Sequence, residues 1–73
     1  MALKLGDRNR EVRELASALC MLGYLSPECV NDTFDFNKLE SIRMFQRAES
    51  LDDTGEVDSA TQSAINSALA EMR

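Results

Sequence analysis

Residues 31 to 46 read Asn31-Asp32-Thr33-Phe34-Asp35-Phe36-Asn37-Lys38-Leu39-Glu40-Ser41-Ile42-Arg43-Met44-Phe45-Gln46. This is a tight polar turn that feeds a helix. The pattern returns in Thr54-Gly55-Glu56-Val57-Asp58-Ser59-Ala60-Thr61-Gln62-Ser63-Ala64-Ile65, with Phe34 over Val57, Asp35 over Asp58, Ser41 over Ala64 and Ile42 over Ile65. In each copy the aspartate is a natural N-cap, because its carboxylate accepts from the free N–H groups of the first helical turn. The apolar residue just before it can staple onto the new helix. The chain therefore repeats one supersecondary unit.

Working outward, Val12, Leu15, Ala16, Leu19, Cys20 and Gly23 fall at helical spacing and predict a first helix over residues 10–22. Asn9, or Asp7 before it, can cap that helix, and Gly23 ends it as the left-handed residue beyond the C-cap. A second helix is expected over 36–48, with Leu39, Ile42 and Phe45 inward and Phe36 and Met44 on the flanks. A third is expected over 59–72, on Val57, Thr61, Ala64, Ile65, Ala68, Leu69 and Met72. The fold class is all-α: a small three-helix bundle with turn–helix repeats. Its expected core is Leu5, Val12, Leu15, Leu19, Phe34, Leu39, Ile42, Phe45, Leu51, Val57, Ile65 and Leu69.

With 73 residues, 1–73 reads as a single domain, one module of a longer protein. An apolar fraction of 44% with 29% charged residues is that of an ordinary folded chain. No apolar run approaches the roughly 18–20 residues that span a bilayer, so membrane insertion is not expected. Lys4, Asp7 and Arg8 interrupt any secretory apolar segment at the start. The net charge of −5 argues against a nucleic-acid partner, which needs clustered Lys and Arg facing phosphates.

The chain has no histidine, which removes His-based triads and HExxH zinc sites. Asp52, Asp53 and Glu56 form an acidic turn with no apolar neighbourhood to raise a carboxyl pKa, so no catalytic residue is assigned. Residues 50–61 partly fit a calcium loop, but Ser50 and Thr61 stand where its first and last carboxylates belong. No metal or other cofactor is implied. Cys20 and Cys29 can form one disulfide in an oxidising compartment; alternatively both are free, one on a helix and one in a loop.

Across these elements the chain resembles the peptidoglycan-binding domain attached to bacterial and phage cell-wall hydrolases. The first block of that family corresponds to Leu3, Gly6, Asp7, Val12, Leu15, Leu19, Gly23 and Tyr24. The second corresponds to Phe34, Ile42, Phe45 and Gln46, and the third to Leu51, Gly55, Val57 and Thr61. Asn9, Asp35, Ser50 and Asp58 stand where the family usually has glycine, so several turns here carry side chains that relatives lack.

The resemblance implies a non-catalytic module in the cell envelope that binds peptidoglycan, through its glycan or its stem peptide, and anchors an attached domain. Its candidate ligand residues are Tyr24, Asn31, Asp32 and Gln46. Tyrosine offers an apolar face with a hydroxyl, and glutamine offers a donor and an acceptor. Phe34 and Gln46 also have a purely structural reading, as core and as a tie to a buried turn, which leaves Tyr24 the stronger candidate. The acidic turns support an alternative, in which the same fold docks a protein partner.

Overall fold

The computed structural model describes residues 3–72. Three helices follow in order: α1, Arg10–Met21; α2, Phe36–Ala48; and α3, Ser59–Glu71. A single 3₁₀ turn, Pro27–Cys29, lies between α1 and α2. Pro27 stands at its first position, where the missing N–H costs nothing.

Each helix starts on the same device. Asn9, Asp35 and Asp58 have extended backbones and accept from the N–H three residues on: Val12 at 3.0 Å, Lys38 at 3.2 Å and Thr61 at 2.9 Å. These bonds satisfy donors that the helix leaves free.

The ends of α1 and α2 share a device too. After α1, the Gly23 N–H donates to the Cys20 carbonyl and the Tyr24 N–H to that of Leu19. After α2, the Ser50 N–H donates to Arg47 and the Leu51 N–H to Gln46. Both are Schellman motifs, and both put their central residue at positive φ, +88° for Gly23 and +60° for Ser50. Ser50 is the only non-glycine residue at positive φ among the described residues.

Short backbone bridges tie the units together. Leu3 and Val57 exchange both N–H···O bonds, at 3.1 and 2.8 Å. Arg8 bridges Thr33, flanked by Asn9 N–H to Asp32 O at 3.0 Å and Phe34 N–H to Asp7 O at 2.8 Å. The segments that enter the three helices are thus stitched to one another while the helices pack behind them.

The core contains Val12, Leu15, Leu19, Phe34, Ile42, Phe45, Val57 and Ile65, as expected, together with Leu3, Ala16, Ala18 and Leu25. Leu39 and Leu69 pack against it only partly buried, and Leu51 is half-buried. Leu5 corrects the sequence reading, for it is 52% exposed. The Asp7 N–H donates to the Lys4 carbonyl, which closes a turn with Leu5 and Gly6 at its centre. Gly6 has φ +98°, and the turn swings Leu5 out while Leu3 takes the interior place.

Helix α2 also departs from its apolar pattern. Its inward face is Lys38, Ser41, Ile42, Phe45 and Gln46, and three of these five are polar. Phe36 and Met44 lie well outside, at 63% and 53% exposed.

Candidate functional site

The polar residues on the inner face of α2 organise the surface around it. Ser41 lies one turn after Asn37, and its hydroxyl is positioned to donate to the Tyr24 carbonyl at 2.7 Å and the Asn37 carbonyl at 3.0 Å. This fixes the start of the loop after α1 against the middle of α2. Tyr24 is already held from the other side by the Schellman bond to Leu19. Its ring meets Phe45 edge to face, with centroids 5.6 Å apart and planes at 89°.

A groove of about 350 Å³ opens beside this tyrosine, lined by Tyr24, Leu25, Ser26, Cys29, Asn37 and Ser41. The Schellman turn supplies its first residue, the 3₁₀ turn its thiol, and α2 its amide and inner hydroxyl. None of the six carries a formal charge. Asn37 Nδ2 lies 3.7 Å from the Cys29 sulfur, a weak acceptor. Cys20 and Cys29 are both free and half-buried, so the bridge that the sequence leaves open is not formed here.

The other candidate ligand residues lie elsewhere. Asn31 Oδ1 accepts from Lys38 Nζ at 2.8 Å and from the Thr33 N–H at 3.1 Å. Lys38 is wholly buried, and Asp35 Oδ1 lies 3.6 Å from the same ammonium. Asp32 is 3.8 Å from Arg8 Nε in an exposed pair.

Gln46 is buried under the turn between α2 and α3. Its Nε2 donates to the Glu56 carbonyl at 2.9 Å and Thr61 Oγ1 at 3.0 Å, and its Oε1 accepts from the Gly55 N–H at 3.0 Å. Phe34 is core, 1% exposed. Of the four candidates, the groove brings in Tyr24 alone.

Asn37, Ser41 and Lys38 escaped the sequence reading. The helix register held a signal: Val12, Lys38 and Thr61 each sit three residues after a cap, and all three are buried. Aligning the caps marks Lys38 as interior despite its charge.

One carboxylate of the acidic turn between α2 and α3, that of Asp53, is paired locally. Asp53 Oδ2 lies 2.8 Å from Arg47 Nε and 3.4 Å from Arg43 Nη2. The Arg47 hydrogen bond foremost, then that from Arg43, holds the Asp53 carboxyl below its ordinary pKa. The Thr61 backbone N–H, with help from the Thr61 hydroxyl, does the same for Asp58.

A second groove, about 320 Å³, runs between α1 and α3 over Leu15 and Ile65, with Glu11 and Glu14 at its rim. No helix among the described residues is long and apolar enough to cross a membrane.

Comparison with solved structures places the fold. The SleB N-terminal domain superposes with a TM-score of 0.88 at 24% identity, over 93% of this chain and 92% of that one. A peptidoglycan-binding protein from Clostridioides difficile, solved in complex with glutamine hydroxamate, superposes with a TM-score of 0.82 at 22% identity. That match takes in 89% of this chain but 40% of the other. No curated protein matches the sequence significantly. The family model described as "Putative peptidoglycan binding domain" matches residues 8–65, which runs from Arg8, the partner of Thr33 in its backbone bridge, to the buried isoleucine of α3. The chain belongs to that peptidoglycan-binding domain family.

Proposed function

We propose that the chain is a non-catalytic module that binds cell-wall peptidoglycan and holds an attached domain at the envelope. Family membership over residues 8–65 carries this reading. The groove beside Tyr24 is the contact surface it suggests, because it is concave, open and built from fixed elements. The net charge of −5 gives no long-range attraction to an anionic wall, so binding has to come from local contacts.

The test is co-sedimentation with purified sacculi. Retention above an acidic control protein of similar size is expected, and a reporter domain fused to the chain should be carried down with it. Recovery of the chain in the supernatant at the level of the control would overturn the reading.

Docking of a protein partner through the acidic turns gains no support from Asp35, Asp53 or Asp58. Asp35 and Asp58 cap helices, and Asp53 is paired with Arg43 and Arg47.

A further inference from the structure

We infer that the groove beside Tyr24 is an acetamido subsite, which takes the N-acetyl group of an amino sugar in the glycan strand. The inference rests on the peptidoglycan-binding reading and names which part of that polymer the groove receives.

Peptidoglycan presents two chemistries, N-acetylated sugars and short peptides bearing carboxylates. A carboxylate that leaves water needs a cation or several donors. The lining residues are Tyr24, Leu25, Ser26, Cys29, Asn37 and Ser41, which include no cation. The lysine adjoining Asn37 in sequence turns inward, and its ammonium is wholly buried against Asn31 and Asp35. The groove is therefore poorly suited to the peptide's carboxylates.

It is well suited to a neutral amide. An acetamido group has one N–H donor, one carbonyl acceptor and one methyl. The exposed Asn37 side chain carries the complementary acceptor and donor in one plane, and its only protein partner among the described residues is the weak sulfur contact at 3.7 Å. The Ser41 proton is directed to the Tyr24 and Asn37 carbonyls, which leaves the hydroxyl oxygen as a further acceptor. Leu25, buried at the groove floor, offers the methyl an apolar wall. Tyr24, fixed by Phe45 and by its own carbonyl, offers a ring that needs no ordering on binding. A groove of about 350 Å³ has room for the sugar that carries the group.

The experiment is an amide NMR titration of the isotope-labelled chain with the N-acetylglucosamine tetramer, its de-N-acetylated counterpart and a free stem peptide. The acetylated tetramer should shift Leu25, Cys29, Asn37 and Ser41, and the de-N-acetylated tetramer should leave them unmoved. Asn37→Ala should keep the spectrum of the fold and weaken acetylated-tetramer binding roughly tenfold, the worth of about two hydrogen bonds.

Shifts at these amides from the stem peptide alone, or an unchanged affinity in Asn37→Ala, would overturn the subsite. Retention on sacculi with a flat acetylated-tetramer titration would overturn the subsite and leave the wall-binding reading standing. Failure of both experiments would remove both.

Discussion

Lys38 Nζ lies 2.8 Å from Asn31 Oδ1, and none of the lysine side chain reaches solvent. A buried ammonium is tolerated only while its acceptors are present. Asn31→Ala leaves it with the more distant Asp35 and should cost about 2 kcal/mol, the loss of a hydrogen bond to a charged group. Lys38→Met removes the need for the acceptor and should cost about 1 kcal/mol or less. In the Lys38→Met background, Asn31→Ala should then be much milder. Urea unfolding of the four proteins measures this coupling, and additive costs would sink the idea.

Ser50 occupies the turn position that glycine occupies after α1, at φ +60° against +88° for Gly23. A side chain at positive φ costs about 1–2 kcal/mol, and glycine gives part of that back as entropy lost on folding. Ser50→Gly should therefore stabilise the chain by up to about 1 kcal/mol, a rise of roughly 4–8 °C in Tm for a domain this small. Ser50→Val, branched at the strained position, should lower Tm. Thermal unfolding followed by circular dichroism decides both signs.

Gln46 closes the turn before α3 through the Gly55 N–H, the Glu56 carbonyl and the Thr61 hydroxyl. Gln46→Leu fills similar space and strands a buried N–H and a carbonyl, at about 1–3 kcal/mol for each such group. Hydrogen exchange should then quicken at Gly55 and in the first turn of α3 more than in α1. An equal increase in all three helices would contradict the local role.

Asp53 and Asp58 are held below their ordinary value of 3.8 by Arg47 and Arg43 and by the Thr61 N–H, respectively. A carboxyl depressed in the fold adds stability that is present above its unfolded pKa and lost as pH falls through the folded one. The urea midpoint should therefore hold from pH 7 to about 5 and fall below about 4. The double variant Asp53→Asn, Asp58→Asn should show a shallower acid limb, while the asparagine at 58 still caps α3. An acid limb of the same slope would remove these two carboxyls from the account.

The helix starts were legible in the sequence because each rests on one local device. Asn9, Asp35 and Asp58 stand just ahead of an apolar period, and capping needs nothing from the rest of the chain. Leu5 misled because an apolar residue two places after Leu3 reads as core, whereas the turn centred on Leu5 and Gly6 carries its side chain outward. The inner face of α2 was hidden for a different reason. Lys38 and Ser41 find their partners 7 and 17 residues away in loops, and apolar periodicity cannot register a polar residue that is satisfied from a distance, whereas Gln46 was legible as a tie to a buried turn. Of the groove, Tyr24 was legible as an aromatic just past a helix end. Asn37 and Ser41 became visible only when the loop after α1 folded back over α2.

The Leu3–Val57 bridge has a mechanical consequence. Tension that arrives from the N-terminal side enters the fold at Leu3, where two backbone bonds and one buried side chain grip the segment ahead of α3. The pair must rupture together before the load can reach Asn9 and the start of α1. A pulled module would give at this clasp first, paying out a few residues of slack while Tyr24, Phe45 and Ser41 stayed in register.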